Sequence, residues 1–401
     1  MPDQLITPVI SRFPTAAYIH IPFCRRRCFY CDFPIYVVGN TMRGETSGSI
    51  SQYVEVLCQE IAKTPTYSKP SKSLETVFFG GGTPSLLSSE QLQRILEVLE
   101  RKFGIDSSAE ISMEIDPGTF DSSHLEGYTK AGVNRFSLGV QAFEEKLLQY
   151  AGRYHTVADI FTAVNIIYQA GVVNFSIDLI SGLPHQTLDI WEESLLSSIE
   201  IAPQHISIYD LTIEPGTVFG RYYQPGDRPL PTDETTVKMY RMAQDILTKA
   251  GYEHYEISNY AKPGYQCRHN RVYWENNSYY GFGMGAASNV MGKRFTRPRK
   301  TKEYYAWVNG GSIIDSEVTT PHEVLLETLM LGLRLAQGIN LQILTKQFGE
   351  DKITAILQVL QPYCDQGWVQ FIDGRLQLHD PDGFLFSNVV LAELFEKLNT
   401  D

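Results

Sequence analysis

The sequence predicts an α/β fold: a partial (β/α)6 barrel followed by a C-terminal helical, winged-helix-like domain. Three observations carry this prediction. From Tyr18 to about Leu211, short β-branched or aromatic runs alternate with longer amphipathic segments, the pattern of repeated βα units. From about Val318 the pattern changes: three helical stretches lead into Trp368–Ile372, an Asp373-Gly374 turn and Arg375–Leu378, the order of helices and hairpin in a winged helix. Finally, 401 residues exceed one small domain and provide for a large core with smaller units attached.

The expected strands, in order, are Tyr18–Ile21, Thr76–Phe79, Glu110–Ile115, Arg135–Val140, Asn174–Leu179 and His205–Leu211. Helices are expected to begin near Ser51, Ser88, Asp121, Thr156, Leu188 and Thr235. Gly39–Ser49 and Ser68–Ser73 read as loose connectors, being rich in Gly, Ser, Thr, Lys and Pro. The chain divides into a core barrel over 1–230, a connecting region over 231–317 and the winged-helix-like domain over 318–401. No internal repeat is visible. In such a barrel the strand C-termini and the loops after them form the active face.

Hydrophobic residues at 43% and charged residues at 20% describe a folded globular chain. The formal net charge of -12 argues against a surface built to neutralise nucleic-acid phosphates. The winged-helix-like segment is no exception, with five Lys or Arg against eleven Asp or Glu. Met1 to Ile10 carry neither a basic n-region nor a long apolar stretch, and no later run is apolar enough to span a bilayer. A cytoplasmic protein is expected.

Three of the six cysteines, Cys24, Cys28 and Cys31, fall within eight positions directly after the first strand. In a cytosolic chain such clustering points to metal rather than disulfides. Three soft thiolates in one loop can ligate three irons of a four-iron cube, leaving one iron open to a substrate's amine and carboxylate. Arg25, Arg26 and Arg27, between the first two cysteines, are expected to favour thiolate over thiol. Two other readings stand beside this one. One is a zinc site, completed by His20 or a distant His, in an interaction protein; the other is buried cysteines flanking a solvated arginine run.

The Cys-x3-Cys-x2-Cys spacing resembles the cluster motif of radical SAM proteins. Tyr18-x-His20-Ile21-Pro22-Phe23-Cys24 resembles one branch of them, the coproporphyrinogen oxidase-like group of HemN and HemW, and the resemblance runs from Tyr18 into the C-terminal domain. It implies a barrel of the radical SAM type that binds a [4Fe-4S] cluster and S-adenosylmethionine.

Gly80-Gly81-Gly82-Thr83-Pro84 follows a predicted strand, where glycines let backbone groups approach a ligand closely. It lacks the Gly-Lys-Ser/Thr ending of a P-loop, and a plain tight turn is the bland alternative. By resemblance, Gly81, Gly82 and Thr83 contact the amino end of S-adenosylmethionine. Tyr18, Tyr30, Glu114, Gln141, Arg153 and Asp178 occupy the family's other cofactor positions. Their chemistry fits: carboxylates and an amide for hydroxyls and the sulfonium, a guanidinium for the carboxylate. Gly281-Phe282-Gly283-Met284-Gly285-Ala286 lacks the context of a dinucleotide fingerprint and reads as close backbone packing near the cofactor.

Two features separate the branches. The oxidases carry a further cysteine where this chain has Phe33, and a longer segment than the seventeen residues before Tyr18. The HemW branch carries a His-Asn-x-x-Tyr-Trp motif, here His269 to Trp274. A neutral imidazole at His269 can ligate haem iron, and Tyr273 and Trp274 offer flat surface to a porphyrin. A core histidine among packed aromatics is the alternative. Cys267 is assigned no function, and the basic run Lys293, Arg294, Arg297, Arg299, Lys300 and Lys302 reads as a solvated loop rather than a propionate site. The resemblance thus implies a haem chaperone without coproporphyrinogen oxidase activity. It delivers haem to membrane-associated respiratory proteins, is compatible with a homodimer, and leaves SAM cleavage open. Radical SAM decarboxylation of coproporphyrinogen III is the alternative function.

Overall fold

The computed structural model describes residues 13–40, 43–67, 73–314, 316 and 318–398. Most of the Ser68–Ser73 connector, part of Gly39–Ser49 and the opening residues Met1 to Ile10 lie outside them.

Six strands succeed one another in chain order and pair in parallel: β1 (Ala16–Ile21), β2 (Leu74–Gly81), β3 (Ile105–Ile115), β4 (Arg135–Gln141), β5 (Phe175–Ser181) and β6 (His205–Asp210). Parallel neighbours need long crossovers, and the helices supply them: α1 (Gly48–Lys63), α2 (Ser89–Phe103), α3 (Ser122–Ala131), α4 (Val157–Gln169) and α5 (Leu188–Ile201). Their starts are written locally. Ser47, Ser88, Asp121, Thr156 and Thr187 each accept a backbone N–H from three residues on, satisfying an otherwise orphaned donor. Strand interiors are buried on both faces, as helix-covered parallel sheets require: Ile19, Val77, Phe79, Leu138 and Ile177 are fully buried.

Three further strands extend the sheet beyond the six expected. After α6 (Asp233–Lys249) comes the hairpin of β7 (Glu253–Glu256) and β8 (Asn259–Ala261), in which β8 adds antiparallel to β6 and β7 antiparallel to β8, while β9 (Tyr280–Phe282) adds parallel to β1. At three or four residues each they are too short for a periodicity signal; their pairing with a preformed edge makes them strands. The sheet order runs β9-β1-β2-β3-β4-β5-β6-β8-β7 without closing, so the barrel is partial.

The C-terminal domain has its own core, with Leu329, Leu333, Ile356, Leu360, Leu376, Val390 and Leu394 buried together. Helices Pro321–Gly332, Leu341–Phe348 and Glu350–Asp365 precede the hairpin Val369–Ile372/Arg375–Leu378, whose second strand also pairs with Ile339–Asn340. Asp373 and Gly374 both have positive φ, at 50° and 72°, as a two-residue hairpin turn of matching twist demands. His254 in β7 and Arg241 in α6 bind Asp380 and Asp382 of this domain, each at 2.9 Å. Among the described residues no helix is long and apolar enough to cross a membrane.

Candidate functional site

The cysteine loop leaves β1 at Pro22 and returns so that Phe23–Cys24 pairs in parallel with Tyr36–Val37. Backbone bonds hold the loop at several points. Thr83 N donates to Phe23 O (2.7 Å), Gly82 N to Ile21 O (2.9 Å), and Phe29 N to Ala151 O (3.0 Å). Arg27 braces it from outside, donating to the carbonyls of Cys31 (3.0 Å) and Phe33 (3.1 Å). Gly82 has no room for a side chain, since a Cβ would stand 2.7 Å from Phe23 O. Gly81 has φ +112°, and a Cβ there would meet the His20 ring at 2.4 Å.

Cys24, Cys28 and Cys31 line one cavity of about 400 Å³ at the C-terminal ends of the strands, where a parallel barrel places its active face. Tyr30, Gly81, Gly82, Thr83, Glu114, Gln141, Arg153 and Asp178 line the same cavity. Gln141 adopts φ +70°, a costly conformation for a non-glycine residue and one concentrated at functional sites. Two further predicted residues are not on the wall. Tyr18 lies behind it, stacked on Phe78 with its hydroxyl 3.1 Å from His20 Nδ1. His20 Nε2 faces the Pro34 carbonyl at 3.0 Å, so Nε2 carries the proton and Nδ1 accepts from Tyr18.

His269 also packs on Phe78, its ring stacked at 5.3 Å, and is buried in the helix Arg268–Trp274. Its Nδ1 is 2.8 Å from Thr76 Oγ1 and its Nε2 is 2.9 Å from the Tyr273 hydroxyl. Burial, with help from the Arg135 charge, pushes its pKa down to about 3, so the ring is neutral. As placed, neither nitrogen is free for a metal, and the packing is that of the core histidine weighed from the sequence.

The arginine run does not make Cys24 or Cys31 acidic. Burial outweighs it, pushing Cys24 up to about 12, with the Asp116 charge adding to the rise, and raising Cys31 as well. Buried thiols of this kind give up their protons to a bound cation that offsets the thiolate charge. Among the described residues no three His, Cys, Asp or Glu side chains are gathered as a single metal ion requires. Three thiols sharing a cavity wall suit a multi-iron cluster.

The opposite wall is acidic and suits a cationic ligand. Glu114 accepts Gly81 N–H at 3.0 Å; burial and then the Asp178 charge push its pKa up to about 8. Asp178, also raised by burial, accepts both Ser137 contacts at 3.0 and 2.9 Å. An amine or sulfonium between them would restore both charges. Arg153 Nε is buried without a partner, a donor left over for a ligand carboxylate.

Asp116 is the residue that the sequence did not single out. It binds Arg153 at 2.6 Å and Thr83 at 3.2 Å, yet it reads only as the next acid after Glu114. Arg297 also departs from expectation. It is buried and paired with Glu60 at 2.8 Å, not part of a solvated loop. Gly283 N–H and the Tyr304 hydroxyl donate to the same Glu60 oxygen at 2.9 and 2.7 Å. The glycines at 281–285 do pack closely, Gly283 against His20 O and Gly285 against Pro34, behind the cysteine loop rather than on the cavity wall. Cys267 is fully buried, its sulfur 3.6 Å from Glu110.

Residues 18–196 match the Radical SAM superfamily, and residues 319–386 the HemN C-terminal domain. A Synechocystis protein named heme chaperone HemW is 47% identical over 97% of this chain and 98% of its own. A Bacillus subtilis protein of the same name is 34% identical over 96% and 100%. Coproporphyrinogen III oxidase (HemN) from Escherichia coli shares the fold at TM-score 0.80 and 22% identity, over 98% of this chain and 92% of that one.

Proposed function

We propose, on the premise that this chain belongs to the HemW family within the radical SAM superfamily, that it is a haem chaperone. It binds haem as cargo, holds a [4Fe-4S] cluster and S-adenosylmethionine in the barrel, and passes haem to membrane-associated acceptor proteins. The observation that supports it best is the meeting of three thiols, two part-buried carboxylates, an amide and a guanidinium in one cavity.

Cys24, Cys28 and Cys31 are the residues that would hold the cluster, which supplies one iron free of protein ligands as a coordination position. Gly81 and Gly82 bring backbone within reach of the ligand's amino end. Glu114 and Asp178 face its positive charge, Gln141 offers an amide, and Arg153 offers its spare N–H to the carboxylate. Tyr30 walls the cavity, and Tyr18 supports the wall through His20 and Phe78. His269 enters this reading as the haem ligand of an opened state, in which its ring leaves Thr76 and Tyr273.

An anaerobic haem titration of cluster-loaded protein, beside its His269→Ala variant, tests the proposal. Saturable binding that weakens in the variant is expected. Absence of saturable binding, with conversion of coproporphyrinogen III to protoporphyrinogen IX, would replace the chaperone reading with an oxidase.

A further inference from the structure

Two side chains reach cysteine sulfurs in the cavity, and one carboxylate holds both of them. Arg153 Nη1 lies 3.5 Å from Cys28 Sγ, while its Nη2 donates to Asp116 Oδ1 at 2.6 Å and Gly139 O at 3.0 Å. Thr83 Oγ1 lies 3.2 Å from Asp116 Oδ2 and 3.7 Å from Cys24 Sγ. Its single proton serves one acceptor at a time. Asp116 itself is fixed by the turn after β3, where its N–H donates to Ser85 Oγ (3.2 Å) and its carbonyl accepts from Thr119 Oγ1 (2.7 Å). Because a guanidinium is a planar, rigid fork, fastening Nη2 determines where Nη1 points.

We infer that Asp116 is a positioning residue: it aims the Arg153 Nη1–H at the Cys28 sulfur and thereby sets how readily a cluster held there accepts an electron. The inference rests on the reading of Cys24, Cys28 and Cys31 as cluster ligands. Hydrogen bonds to the sulfurs and nearby charge are among the levers on iron–sulfur potentials. A donor at the sulfur draws off thiolate charge and favours the more negative, reduced cluster, raising the potential. The Asp116 charge works the other way, so removing it confounds a single substitution.

A pair of variants separates the two effects. Asp116→Asn and Asp116→Ala both lose the charge, but only Asn keeps a side-chain acceptor for Nη2; Ala leaves it the Gly139 carbonyl alone. In a dithionite titration of the cluster-loaded full chain followed by electron paramagnetic resonance, the Ala variant is expected to have a lower potential than the Asn variant. The difference should correspond to about tenfold in the reduction equilibrium, ~59 mV for one electron. Thr83 loses its acceptor in both variants, because an Asn that keeps Oδ1 on Nη2 turns its Nδ2 donor towards Thr83, so any new bond from Thr83 to Cys24 cancels in the comparison. In an Arg153→Gln background the difference should collapse, since no guanidinium remains to be aimed.

Equal potentials in the two variants, or an undiminished difference with Arg153→Gln, would overturn the inference. Iron and sulfide content of the same samples keeps the two readings apart: an unloadable wild type sinks the cluster assignment and this role with it, whereas full loading with the wrong potentials sinks only the positioning role. If Asp116→Ala fails to load, the deuterium shift of the iron–thiolate Raman bands decides. It is expected to be larger in Asp116→Asn than in Arg153→Gln, and equal shifts overturn the inference.

Discussion

His269 Nδ1 lies 2.8 Å from the hydroxyl of Thr76, a pairing across 193 positions that ties the His-Asn-x-x-Tyr-Trp helix to the strand leading into the glycine segment. The backbone N–H of His269 adds a bond to Glu110 at 3.1 Å, and its ring and that of Tyr18 both stack on Phe78. The motif therefore packs behind the wall of the cavity that the three cysteines line.

Tyr273→Phe removes the partner of His269 Nε2. It should cost about 1 kcal/mol of stability, the usual net value of a buried hydrogen bond. If His269 ligates haem in an opened state, freeing Nε2 lowers the cost of opening, and a haem titration should show several-fold tighter binding. Unchanged affinity would place the ligand elsewhere.

Cys24→Ser, Cys28→Ser and Cys31→Ser should each abolish stable loading of iron and inorganic sulfide, whereas Cys267→Ser should leave both unchanged, because Cys267 is buried beside Glu110. Metal and sulfide analysis of anaerobically purified protein checks this. Stoichiometric zinc without sulfide in the wild type would refute the cluster.

Glu60 and Arg297 form a buried ion pair, with side-chain exposures of 0% and 2%. Glu60→Ala leaves the guanidinium buried and unpaired, which should lower stability by about 3–5 kcal/mol in urea denaturation. The double variant Glu60→Leu/Arg297→Met should lose clearly less than the sum of its two single variants, since no lone charge remains.

Glu114 is raised from 4.5 to about 8. Between those values the folded ligand-free protein binds a proton that the unfolded chain has released. Its contribution to stability is thus full below about pH 4.5 and is lost as pH rises through about 8. Glu114→Gln should flatten the fall in stability over this window. A slope unchanged in the variant would assign it to other groups.

The six core strands and their helix starts were readable because their signals are local. An apolar run of five or six residues, a capping Ser, Thr or Asp, and a Gly at a strand end each act over a few positions. The cysteine spacing was readable for the same reason, since three thiols in one short loop need no distant partner to come together. Most of the predicted cofactor residues lie within the strands or just after them, so identifying the strands brought them to one face.

Tertiary structure alone decided the rest. Asp116 matters because a turn places its two oxygens against Thr83 and Arg153, 33 and 37 positions away. Arg297 left the expected solvated loop because Glu60, 237 positions distant, lies where that segment packs. The acidity of Cys24 and Cys31 turned on burial, which no run of neighbouring arginines reveals. His269 followed the same rule: its residue type allows a ligand or a core side chain, and the hydrogen-bonding groups that fold against both nitrogens determine which of the two it is in this state. Short-range patterns specify elements because chain connectivity holds them together, whereas protonation, pairing and access depend on what folding brings near from far along the chain.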